Sequence, residues 1–241
     1  MAFLERVTVT GADDGTDPNE LLRLSERYPF VEWGILLSKS QEGNARFPSE
    51  TWIRKLRETR IEAIGKSMVL SGHLCGSWVR ELCLGRLKFL DDRPVLGRMF
   101  DRVQLNFHAL AHTISQPAFS KALKDWNVGE YIFQFDNTNN WVLSSALTDG
   151  INAVPLFDTS GGAGIEPSSW ARPFGAKSGY AGGLHPDKIE GQLDRIMAAA
   201  EHNKIWIDVE THVRSDDDKL FDLDKVTKFL ATVAPKVGRW L

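Results

Sequence analysis

Short apolar runs rich in β-forming residues return eight times along this chain, and amphipathic stretches separate most of them. The strand candidates are residues 7–10, 31–37, 67–71, 102–106, 130–135, 153–157, 179–181 and 205–209. Helical periodicity marks 21–28, 49–59, 78–89, 119–126, 141–147, 186–200 and 222–233. Asp17-Pro18 and Pro48-Ser49 supply a cap and a first turn for the first two helices. Ile189, Leu193, Ile196 and Met197 form the apolar stripe of the 186–200 helix. After the sixth strand only 168–170 reads as the start of a brief helix. Strands that alternate with helices pair in parallel, because each connection must cross back over the sheet. Eight such units close into a (β/α)8 barrel. An open doubly wound sheet is the alternative, and it needs a reversal of strand order that sequence does not display. No linker or low-complexity run divides the chain, so residues 1–241 read as one barrel domain.

Composition narrows the function classes. With 42% hydrophobic and 25% charged residues, the chain can build a sizeable core and disorder is not expected. A net charge of -3 argues against a nucleic-acid partner, which would demand a basic face. Cys75 and Cys83 lack metal-ligand spacing and fit a reduced, cytoplasmic setting. The first ten residues include Glu5 and Arg6 and lack a signal-peptide core, and no apolar run is long enough to span a bilayer. Asp216-Asp217-Asp218 reads as solvated acid ahead of the last helix. The oligomeric state leaves no signature.

In such a barrel the chemistry lies at the carboxyl ends of the strands. That rule nominates Thr10, Ser38, Lys39, His73, Asn106, Asp136, Asp158, Gly182, Glu210 and His212. Most strand-end polar residues only cap loops. Asp158 is set apart by its context, Pro155-Leu156-Phe157-Asp158-Thr159-Ser160-Gly161-Gly162-Ala163-Gly164. A buried strand delivers one carboxyl to the rim, and glycines let the next backbone bend around a ligand. Desolvation there favours the protonated form, so Asp158 reads as a general acid. Gly179-Tyr180-Ala181-Gly182-Gly183-Leu184-His185-Pro186-Asp187 repeats the pattern, and Gly182-Gly183 offers unobstructed N–H groups to a phosphate. His73, Asp158, His185 and Glu210 could meet at the mouth, but no H-x-H or H-x-x-x-H pair supports a metal. Neither a metal nor a cofactor is expected.

These segments resemble the phosphoribosylanthranilate isomerase family, a tryptophan-pathway enzyme family, almost end to end. Leu156-Phe157-Asp158 with Gly161-Gly162-Ala163-Gly164 and Trp170 is similar to its acid-bearing strand six and glycine loop. Tyr180 to Ile189 resembles its glycine-rich strand-seven segment. Trp206-Ile207-Asp208-Val209 and Phe221 to Val226 resemble strand eight and the last helix. Val103-Gln104-Leu105-Asn106, Ser38-Lys39-Ser40 with Arg46, and Val7-Thr8-Val9-Thr10-Gly11 match strands four, two and one.

The resemblance implies a single (β/α)8 TIM barrel of the ribulose-phosphate-binding type and an Amadori rearrangement of a phosphorylated, sugar-like small molecule. It places the acid at Asp158, substrate contacts at Arg46, Gln104, Asn106, Gly162 and Gly164, and the phosphate at Gly182, Gly183, Thr211 and His212. Thr10 stands where the family has its cysteine base, and a threonine hydroxyl ionises too weakly to replace a thiolate unaided. Asp13, Asp14, His73 and Glu210 are the candidate replacement bases. Cys75, after strand three, reads as a buried structural thiol. Glu210 sits beside the expected phosphate, where a carboxylate repels a dianion. The readings are therefore a divergent isomerase-like enzyme on another small molecule, residual isomerase activity with an altered base, or a non-catalytic binding or interaction protein on an inherited barrel.

Overall fold

A computed structural model describes residues 2–106, 114–135, 139–158 and 163–238. Eight parallel strands close in sequence order, each bonded to its neighbours in the chain, with β1 also bonded to β8. They are β1 Phe3–Thr10, β2 Val31–Leu37, β3 Val69–Leu74, β4 Arg102–Leu105, β5 Glu130–Gln134, β6 Ala153–Phe157, β7 Lys177–Ala181 and β8 Lys204–Val209. The helices are α1 Pro18–Arg27, α2 Glu50–Glu62, α3 Gly76–Cys83, α4 Lys88–Asp92, α5 Gln116–Trp126, α6 Asn140–Thr148, α7 Ile189–Ala200 and α8 Leu223–Val233. The doubly wound alternative is excluded by closure. Among the described residues no helix is long and apolar enough to cross a membrane.

Asp17 caps α1 by accepting from the Asn19 N–H, and Ser49 caps α2 by accepting from that of Trp52. Three readings of the sequence need correction. The third strand lies two to three residues later than its apolar run indicated, which puts His73 inside the barrel wall. The 78–89 helix is two helices, because the chain turns at Gly85 with φ +77°. Residues 168–170 form no helix, and residues 163–176 run without regular structure.

Strand periodicity turns alternate residues inward, and the barrel interior divides into two chemistries. One side holds the apolar cluster Ile132, Val154, Leu156, Ala181 and Trp206. A side chain at Gly179 would place its Cβ 2.3 Å from the Trp206 ring, so glycine there makes room for the indole. Near the strand starts lies an ion network. Arg102 meets Glu32 at 3.0 Å and Glu130 at 2.7 Å, and Lys177 joins Glu130 at 3.0 Å and Glu5 at 2.9 Å. The Arg102 guanidinium stacks 4.3 Å from the Trp206 ring. These charges are held by mutual pairing, and removing Glu32 or Arg102, the two buried members, leaves the other's charge without that partner. The main core lies outside the strands, where Leu56, Val79, Phe119, Leu193 and Phe229 are buried.

Candidate functional site

At the carboxyl ends of the strands is a cavity of about 260 Å³. Asp158 from the end of β6 and Gly182 and Gly183 from the end of β7 share it. Three carboxyl groups meet there, from Asp158, Asp208 and Glu210.

Asp208 is the most constrained. It lies on the same side of β8 as Trp206, two residues earlier, and only 8% of it is exposed. Its Oδ1 accepts from the Thr10 hydroxyl at 2.8 Å. Burial pushes its carboxyl well above the usual 3.8; the Thr10 hydrogen bond opposes this, and the charges of Glu210, Asp158 and Glu32 reinforce it. Glu210 follows β8 and is half-buried. Burial raises its pKa and Arg46 opposes the shift, while Asp158 and Asp218 add repulsion, leaving the carboxyl above its ordinary value. Asp158 itself is 9% exposed.

Amides occupy the β3–β5 side. The Gln104 Nε2 donates to Asn106 Oδ1 at 2.9 Å, and the Asn106 Nδ2 donates to Cys75 Sγ at 3.2 Å. Burial pushes the Cys75 thiol up to about 12, so it is neutral and accepts this bond through sulfur. Gln134 at the end of β5 completes that side. The opposite wall is backbone. Gly183 has φ +61°, and a Cβ there would fall 2.2 Å from the Glu166 nitrogen, so only glycine lets the 165–166 segment pack against it. The Gln192 Nε2 ties the two together, donating to the Gly183 carbonyl and to Glu166 Oε2, each at 2.8 Å. Gly164, Thr211 and His212 continue the wall, and His212 Nε2 donates to the Gly164 carbonyl at 3.1 Å.

No family model and no curated protein matches the chain. The barrel does match solved structures. One is a truncated form of 3-deoxy-D-arabino-heptulosonate 7-phosphate synthase from Thermotoga maritima, at a TM-score of 0.57 and 14% identity, covering 98% of this chain and 86% of that one. Another is phospho-2-dehydro-3-deoxyheptonate aldolase from the same organism, at a TM-score of 0.57 and 12% identity, covering 97% of this chain and 69% of that one. At such identities the similarity establishes a (β/α)8 barrel and nothing finer.

Against this geometry the residues picked from sequence fall into two sets. Asp158, Gln104, Asn106, Gly164, Gly182, Gly183, Thr211 and His212 all line the cavity. Thr10 does not. It is fully buried beneath the cavity, and its hydroxyl is committed to Asp208, so it positions a carboxyl instead of standing at the mouth. Arg46 is also outside the lining. Its Nη1 meets Glu210 at 2.7 Å and its Nε meets Asp218 at 2.8 Å, so the carboxylates capture the guanidinium before a substrate could. Gly162 and Asp136 lie outside the described residues.

Of the candidate bases only Glu210 reaches the cavity. Asp13 is paired with Arg214 at 2.9 Å, and Asp14 accepts from the Ser49 backbone at 2.7 Å. His73 is buried, and desolvation with the nearby Arg102 charge pushes it down to about 3, so it stays neutral. Ser38 and Lys39 do not line the cavity. His185 packs against His212 with tilted rings, centroids 4.8 Å apart, and borders an adjoining cleft. Among the described residues no group of three or more His, Cys, Asp or Glu side chains is arranged to hold a metal ion.

Asp208 and Gln134 were missed from sequence because the strand-end rule took the polar residues just past those strands, Asp136 and Glu210, and passed over the polar residues within them. The usable signal was alternation. Trp206 and Asp208 share one face of β8, and a carboxyl two residues past an inward aromatic points inward as well.

Proposed function

We propose that this chain is an acid–base enzyme of the isomerase type, acting on a small sugar-like molecule at the barrel mouth. One observation carries the reading: Asp158, Asp208 and Glu210 converge on a single cavity, with burial and mutual repulsion raising Asp208 and Glu210. A carboxyl kept protonated at neutral pH can donate a proton to a carbonyl or ring oxygen, and an ionised neighbour can remove one from carbon. In this reading Asp208 holds the proton, oriented by Thr10, and Asp158 is its partner across the mouth. That revises the acid role read for Asp158 from its place between a buried strand and a glycine loop and from the family resemblance. Arg46 holds Glu210 in place, so Glu210 orients substrate hydroxyls.

A phosphorylated ligand, as the resemblance implies, has one place for its phosphate: the wall of Gly182, Gly183, Thr211 and His212, which carries no carboxylate. Each phosphate charge within about 4 Å of Glu210 would be opposed by about 4 kcal/mol at an intermediate dielectric. The second reading, a binding protein without turnover, draws on the neutral Cys75 thiol and the concealed Thr10, which leave the mouth without a thiolate base.

The test is solvent deuterium exchange. A panel of aldoses, ketoses, amino sugars and their phosphates is incubated in D2O with the protein and followed by NMR. Exchange at carbon next to the carbonyl should appear for at least one member, and Asp158→Asn or Asp208→Asn should slow it by about 10²–10⁴-fold. Exchange that both variants leave at the wild-type rate, or no exchange despite demonstrated binding, refutes the enzyme reading.

A further inference from the structure

Gln192 is buried where a helix ordinarily places a hydrocarbon. It shares the buried face of α7 with Ile189, Leu193 and Ile196, is 1% exposed, and does not line the mouth cavity. An amide buried there is unfavourable unless it is hydrogen-bonded, and here both ends of it are engaged. Its Nε2 donates to the Gly183 carbonyl and to Glu166 Oε2, each at 2.8 Å, and its Oε1 accepts from the His185 N–H at 3.0 Å. Reversing the amide would set its oxygen against a carbonyl and a carboxylate, so the orientation is fixed.

The consequence falls on the polarity of the cavity wall. Gly164 and Gly183 both line the cavity and both are left-handed, at φ +68° and +61°. Glycine adds no side-chain restraint, so its carbonyl takes the direction that its partner sets. Gln192 draws the Gly183 carbonyl out toward α7, and His212 Nε2 occupies the Gly164 carbonyl at 3.1 Å. Two acceptors that would repel a phosphate are thus spent on protein donors. Gly183 itself is partly exposed, and among the described residues nothing accepts from its N–H.

We propose that Gln192 is a positioning residue of the phosphate wall: from outside the cavity it holds the Gly183 carbonyl turned away, so that the wall meets an anion with N–H groups instead of acceptors. The inference rests on the phosphate placement proposed above and names the residue that makes that wall fit for an anion.

Inorganic phosphate is the probe, titrated into the full chain and followed by calorimetry and by the amide resonance of Gly183. Phosphate should bind the wild type and shift that resonance. The decisive variant is the swap Gln192→Glu with Glu166→Gln. It keeps the net charge, the bond from His185 and a donor–acceptor pair between α7 and residue 166, and it removes the donor to the Gly183 carbonyl. The swap should weaken phosphate binding at least about tenfold, the weight of about one hydrogen bond, with the circular dichroism spectrum unchanged. Gln192→Met, which removes every bond of the amide, should weaken it at least as much. A swap that binds phosphate as tightly as the wild type would show that Gln192 only anchors the 165–166 segment, and the proposal would fall. A Gly183 amide that phosphate leaves unmoved in the wild type would overturn it as well. Deuterium exchange separates the two ideas. Exchange on a neutral sugar without phosphate binding sinks this proposal and leaves the enzyme reading standing; phosphate binding lost in the swap, with no exchange on any sugar, does the reverse.

Discussion

Replacing Asp208 with asparagine isolates the group on which the site's chemistry depends. The native carboxyl titrates well above its ordinary 3.8, because burial and the neighbouring carboxylates disfavour its charge. Between the unfolded and folded pKa values the native state therefore binds more protons than the unfolded chain. With that sign, the free energy of unfolding falls as pH rises through the window, by about 1.4 kcal/mol per pH unit for one group. The amide in the Asp208→Asn variant has nothing to ionise, and its oxygen can still accept from Thr10, so the hydrogen bond seen at 2.8 Å is preserved. Glu210, also raised, gives a slope of the same sign in both proteins. Urea unfolding of wild type and Asp208→Asn, followed upward in pH from the ordinary carboxylate range, should thus diverge in favour of the variant, with a slope of at most about 1.4 kcal/mol per pH unit. Parallel pH profiles would mean that Asp208 ionises normally, and the proton-holding role assigned to it would fail.

Two further outcomes check other parts of the structure. Gly179→Ala drives a methyl group to 2.3 Å from the Trp206 ring and should lower stability by about 1–3 kcal/mol in a denaturant melt, whereas unchanged stability would show that the barrel interior is not packed as described. Cys75 lines the cavity, and with its thiol pushed up to about 12 it should react with iodoacetamide at pH 8 far more slowly than a free cysteine; a rate matching the free amino acid would refute the neutral thiol assigned beside Asn106.

The eight-strand repeat was enough to read the barrel, since β6 at Ala153–Phe157 and β2 at Val31–Leu37 coincide with their apolar runs. Boundaries failed where the local signal was mixed. The run ahead of β3 ended on Ser71, yet the strand continues through Gly72 and His73 because β2 and β4 pair with those residues. The helix expected over 78–89 is divided at Gly85, whose positive φ suits a turn, and a Cβ there would come 2.5 Å from Ala118. Neither effect is visible within one segment.

Sequence by itself determined that Asp158 and the Gly182-Gly183 pair would share a rim. In a parallel barrel every strand ends on the same side, so any two strand-end motifs are neighbours or face each other across the mouth. Only the tertiary structure decided which polar groups are open to a ligand. Thr10 is spent on Asp208, Arg46 is spent on Glu210 and Asp218, and Asp208 joins the cavity from within β8. The reason is that hydrogen-bond and charge partners here lie some 160 to 200 residues apart in sequence, so their pairing is fixed by barrel closure and by no local pattern.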